Sequence, residues 1–142
     1  MASPFDLQAE AHGYHELGRI SRDLDIVWIG LSASQRTIQQ RPDTVVRTLR
    51  ATIRGLEYTR ANRDEAIRIL QEWLNMEPEV AAASYDLGLE TWSTDGTASD
   101  EAWKNTLEIS RLAAPLQPDV TLAQYVDKAP LEEARRSLAA RR

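Results

Sequence analysis

The chain has 142 residues and a formal net charge of −5, from 17 Lys and Arg against 22 Asp and Glu. Hydrophobic residues make up 42%, enough for a packed core and too many for a disordered chain. Cysteine is absent, which excludes disulfides, a thiol nucleophile and a thiolate metal site, and no apolar run reaches the ~18 residues that span a membrane.

The N-terminal MASPFDLQAEAHGYHEL has neither the basic nor the apolar region of a signal peptide. A chain expressed as given is therefore expected in the cytoplasm. Pro4 opens a first short helix, PFDLQAEAH, and Gly13 suits the left-handed position after its end. The segment DIVWIGLSA, residues 25–33, is β-branched and aromatic with few charges, and reads as the one strand of the chain. Its composition suits burial on both faces. One strand cannot supply its own neighbours, so sheet partners outside this chain are expected.

Ser32 or Ser34 caps a short helix that Pro42 ends, and Pro42 with Asp43 starts the next. In that helix Val46, Leu49, Ile53 and Leu56 recur at helical spacing as a buried stripe, beside a stripe of Arg47, Arg50 and Arg54. Asn62 and Glu65 have the spacing of a capping box. Ala66, Ile67, Leu70, Trp73 and Leu74 then make one apolar face, and Pro78 begins a short helix with Val80, Ala81 and Tyr85 inward. STDGTASD is a polar, turn-rich loop. Ser99 caps a longer helix with Trp103, Leu107 and Ser110 inward. A proline-punctuated connection holds a short helical turn around Tyr125, and Pro130 starts the last helix. No internal repeat is visible.

Charge is unevenly spread. Residues 36–68 carry eight arginines against four acids, whereas residues 72–133 carry thirteen acids against Lys104, Arg111 and Lys128. The Arg47, Arg50, Arg54 stripe has the charge to meet phosphates, but no aromatic platform, Gly-rich element or DNA-reading motif accompanies it, so a solvated or packing face is the expectation. His12 and His15 lack the HExxH register and are separated by Gly13, and surface positions are expected for both. Trp28, Trp73, Trp92 and Trp103 read as core anchors, with Trp28 on the strand and Trp92 in a loop as the two best placed to meet a ligand. No GxSxG, P-loop, GxGxxG or zinc signature occurs, so neither catalytic residues nor a cofactor or metal is expected.

The ordered set of segments resembles a known family. SPFDLQAEAHGYHEL, then RPDTVVRTLRATIRGLEYTRANRDEAIRILQEWLNMEPEVAAASYD, then STDG and VDKAPLEEA are similar, in order and spacing, to the C-terminal part of substrate-binding proteins of ABC importers for nitrate, sulfonates, taurine and thiamine-pyrimidine precursors. The resemblance runs over nearly the whole chain and rests on the set, since no single motif is specific.

The resemblance implies a mainly α chain with one or few β-strands, the C-terminal portion of a bilobal α/β periplasmic-binding-protein type II fold. Residues 1–24 would end the second lobe, residues 25–34 would be a returning hinge strand, and residues 35–142 would be the helical region backing the first lobe. Full members are about twice this length, so the resemblance covers their second half. The implied function is solute capture for an ABC importer, without catalysis. The implied partners are a small anionic or heterocyclic solute, the importer's permease, and the missing N-terminal lobe or a second copy of the chain; nucleic acid and membrane insertion are not among them. The implied location is periplasmic or extracytoplasmic. Ser3, Pro4 and Phe5 are the implied ligand-binding residues: Ser3 as a hydrogen-bond donor, Pro4 at a helix start that favours an anion, and Phe5 as an apolar contact. The alternatives are a free-standing helical module that oligomerises, and a nucleic-acid binder using Arg47, Arg50 and Arg54.

Overall fold

A computed structural model describes residues 4–113 and 120–140. It is mainly α. The described helices are α1 Phe5–Ala11, α2 Ile20–Asp23, α3 Gln35–Gln40, α4 Pro42–Ala61, α5 Arg63–Leu74, α6 Pro78–Thr91, α7 Asp100–Ala113, α8 Leu122–Tyr125 and α9 Ala129–Ala139. They group into two compact units, Met1–Asp23 with Gly55–Ser93, and Leu24–Arg54 with Thr94–Arg142.

The first unit is built on the α5–α6 hairpin. Asn75 ends α5 in the left-handed conformation at φ 50°, and Pro78 enters α6 in its first turn, where the missing N–H costs nothing. Ala66, Ile67, Met76, Ala81 and Tyr85 are buried together, with Leu70, Val80, Leu89 and Trp92 against them. Tyr85 is edge-on to Trp92, with ring centroids 6.0 Å apart. On the outer side Asp86 accepts from Arg63 at 2.9 Å, and the Arg63 guanidinium stands 5.7 Å from the Tyr85 ring centroid. Arg60 donates to the carbonyl of Trp92 just past the end of α6, where a cation meets the negative end of the helix. The helix α1 also packs on α6, and Gly13 follows it at φ 87°, as its sequence position predicts.

Two expectations fail in this unit. Asn62 and Glu65 form no capping box: Asn62 Nδ2 donates back to the Tyr58 carbonyl at 2.8 Å, and the Glu65 carboxylate is taken by Arg68. Trp73 and Leu74 are exposed rather than buried, because Met76, brought round by the left-handed turn at Asn75, fills that end of the cluster.

In the second unit Val46 and Ile53 of α4 bury against Ala134 of α9, with Leu49, Leu131 and Leu138 around them. Ala134 is fully buried, so its small side chain sets how closely the two helices approach. The loop before α7 turns on Asp95, whose Oδ1 accepts from Thr97 N at 3.0 Å, and on Gly96 at φ 82°. A Cβ at Gly96 would stand 3.2 Å from Leu131 Cδ1, so both backbone conformation and space call for glycine there. Ser34 caps α3 and Ser99 caps α7 through side-chain oxygens that accept backbone N–H groups at 3.1 and 2.9 Å.

The strand expected over residues 25–33 does not form. Residues 24–34 carry no regular secondary structure, and no strand is present among the described residues. A strand needs a laddered neighbour to satisfy its backbone, and the chain offers helices instead. The segment is tied at one end to α7: Asp25 Oδ2 accepts from Ser99 Oγ at 2.7 Å, the Asp25 carbonyl accepts from Asn105 Nδ2 at 2.8 Å, and Val27 N donates to Thr106 Oγ1 at 2.8 Å. Beyond that anchor its side chains face solvent rather than being buried on both faces. Trp28 is 62% exposed, Ile29 92% and Leu31 61%.

Candidate functional site

Of the three ligand-binding residues implied by the family resemblance, Ser3 lies outside the described residues. Pro4 holds the N-cap position of α1 and Phe5 is its first residue, 61% exposed. The adjacent acid is the chain's own: Asp6 Oδ1 accepts from Leu7 N at 3.0 Å, and Asp6 Oδ2 lies 3.5 Å from Arg19. Arg19 is also paired with Glu16, and that hydrogen bond holds its guanidinium above the ordinary arginine range. A bound anion at the start of α1 would meet the Asp6 carboxylate beside it, which opposes rather than assists its capture.

The remaining sequence candidates fall apart spatially. His12 Nδ1 makes a 2.8 Å hydrogen bond with the Gln8 carbonyl at the end of α1, and His15 is exposed after Gly13. No group of three His, Cys, Asp or Glu suited to a metal ion occurs among the described residues. Trp92 is half-buried against Tyr85 at the C-cap of α6 and is thus a packing residue at a helix end rather than in an open loop. Trp103 is half-buried on α7, whereas Trp28 and Trp73 are open to solvent.

On α4, Arg47 and Arg54 are exposed and Arg50 is half-buried. None of the three forms an ion pair among the described residues, in contrast to Arg19, Arg63, Arg68 and Arg135. The stripe is a solvated face bordering the buried Val46 and Ile53.

In the second unit, a shallow pocket of about 200 Å³ is lined by Ile38, Pro42, Val46, Asp127, Glu133 and Arg136. It lies below the range of about 300–1,000 Å³ usual for small-molecule clefts. Its charged groups come from α9 and the loop before it.

What the second unit does present is the apolar segment after Val27. Trp28, Ile29 and Leu31 are neighbours in sequence and open to solvent together, on a backbone anchored to α7. The composition of DIVWIGLSA already marked these residues. The anchor of Asp25 on Ser99 and Asn105 had no sequence signal, since the partners are separated by more than seventy positions. No protein-family model, curated protein or solved structure matches the chain.

Proposed function

We propose that the chain is the C-terminal helical portion of a bilobal solute-binding protein serving an ABC importer, with small anionic or heterocyclic solutes such as sulfonates, nitrate or thiamine-pyrimidine precursors as its cargo. In this reading the chain supplies scaffold and one wall of the cleft, and a second lobe supplies most of the solute contacts. Solute is then captured by closure of two lobes, driven by contacts made only in the closed state. The observation that carries the proposal is the exposed segment of residues 28–31. It has the composition of an interior strand, it is anchored to α7 at Asp25 and Val27, and Trp28, Ile29 and Leu31 remain more than 60% exposed. A segment of that kind calls for neighbouring strands. The shallow pocket and the self-satisfied start of α1 fit a chain that does not hold a solute alone.

The test is titration calorimetry with taurine, nitrate and an aminopyrimidine. It is run on the chain alone and on the chain co-produced with a polypeptide that supplies the proposed N-terminal lobe. The proposal expects no binding heat from the chain alone and saturable binding of one solute class by the pair. Tight binding by the chain alone, or a co-purified pair that binds none of these solutes, contradicts it.

A further inference from the structure

We infer that the step from Asp95 to Gly96 is a site of spontaneous isoaspartate formation, and that Arg135 of α9 holds the reaction in check. The inference concerns the second unit alone and does not require the importer reading.

Asp95–Gly96 is the one Asp–Gly step in the sequence, and no Asn–Gly step accompanies it. The reaction at such a step needs only the chain and water. The Gly96 nitrogen attacks Asp95 Cγ and a C–N bond forms. One carboxyl oxygen leaves as water, taking the amide proton and the carboxyl proton with it. The product is a cyclic succinimide, and water then opens either of its carbonyls. Opening at Cγ restores Asp95. Opening at the main-chain carbonyl leaves isoaspartate, with the backbone routed through Cγ and a free carboxylate on Cα. Glycine favours the attack because no side chain shields its nitrogen.

The loop supplies the approach. Asp95 Oδ1 accepts from Thr97 N at 3.0 Å and from Thr97 Oγ1 at 2.6 Å, so the carboxyl is turned back towards the Gly96 peptide. Gly96 is exposed, which gives water access to the ring. The fold also fixes the glycine, since φ is 82° and a Cβ would stand 3.2 Å from Leu131 Cδ1 and 3.7 Å from Ile53 Cγ1. The susceptible step cannot be exchanged for a slower one without strain.

Arg135 supplies the restraint. Its Nη2 lies 2.7 Å from Asp95 Oδ2. Cyclisation needs the protonated carboxyl, because an oxygen of the carboxylate would have to leave as oxide. Protonating this carboxyl forfeits its attraction to Arg135. Both side chains are partly exposed, so the restraint is modest, roughly two- to fivefold in rate. Isoaspartate lengthens the backbone just before Gly96, where the loop packs on Leu131 of the α4–α9 cluster, so the modified chain should unfold at a lower temperature.

The full chain is aged at neutral pH, and isoaspartate at residue 95 is counted over time by peptide mapping with electron-transfer fragmentation. The samples are the unmodified chain, the same chain unfolded in urea, Arg135→Gln, Arg135→Lys and Lys128→Gln. The last removes a different ion pair of the same unit and controls for general loosening. Circular dichroism selects a temperature at which every variant is folded. The expected order is fastest in urea, roughly two- to fivefold above the native rate in Arg135→Gln, and close to the native rate in Arg135→Lys and Lys128→Gln. A native rate equal to the unfolded one, an Arg135→Gln rate equal to the native one, equal acceleration by Lys128→Gln, or no isoaspartate at residue 95 in any sample overturns the inference.

Discussion

The Tyr85 hydroxyl donates to the Thr59 carbonyl at 2.9 Å, closing α6 onto the last turn of α4. Thr59 lies among the last four carbonyls of its helix, which have no partner within that helix. Tyr85 is 1% exposed, so its hydroxyl satisfies a group that water reaches poorly. Tyr85→Phe should keep the ring packing and cost about 1–2 kcal/mol, a fall in thermal midpoint of a few degrees by calorimetry. Tyr85→Ala should cost about 3–5 kcal/mol, because it also empties the centre of the cluster.

Gly88 and Trp92 are one turn apart on α6, and a Cβ at Gly88 would overlap the Trp92 indole. Glycine to alanine in a helix ordinarily stabilises by about 1 kcal/mol. Here Gly88→Ala should destabilise by about 1–3 kcal/mol, because the ring must leave its edge-on contact with Tyr85. In a Trp92→Ala background the same substitution should regain its ordinary stabilising sign. A denaturant double-mutant cycle reads the reversal.

Lys128 pairs with Asp100 at the start of α7, and Arg68 pairs with Glu65. The hydrogen bond from each cation holds its carboxyl below the usual carboxylate range. A depressed carboxyl pKa contributes stability above its unfolded value of about 4. That contribution disappears as pH falls through the folded value. Both carboxylates face solvent, so the effect is small and screened by salt. Lys128→Gln should move the Asp100 titration upward, towards the ordinary range, in an NMR pH series, while Glu65 stays put.

Ser99 both caps α7 and donates to Asp25. Ser99→Ala should cost about 1 kcal/mol through the cap. It should also free the start of residues 24–34, seen as faster amide exchange at Val27 and greater Trp28 mobility. Asp25→Asn, which spares the cap, should leave helix stability nearly unchanged while still loosening the anchor.

The helices were largely legible from sequence because their signals are local. Pro42 and Pro78 sit at helix starts, Ser34 and Ser99 at caps, Gly13 at a left-handed end, and Val46 with Ile53 at helical spacing. The capping box at Asn62 failed because Arg68, one turn further along, competes for Glu65. The strand failed for a different reason. Residues 25–33 have strand composition, but a strand is a property of pairs, and the chain brings helix α7 to that backbone. The candidate ligand residues at the start of α1 rested on family resemblance, and the Asp6 carboxylate beside them had to be located in space.

The central claim is the proposal that the exposed apolar segment of residues 28–31 is covered by another polypeptide. Amide hydrogen exchange tests it most directly, with the chain at a dilution where light scattering shows a single copy, alone and with a polypeptide that supplies the proposed N-terminal lobe added. The account predicts rapid exchange at residues 28–32 in the chain alone and strong slowing there in the pair, with the α5–α6 hairpin unchanged. Protection of residues 28–32 already in the single copy, or exchange that stays rapid in a pair that has formed, would contradict it.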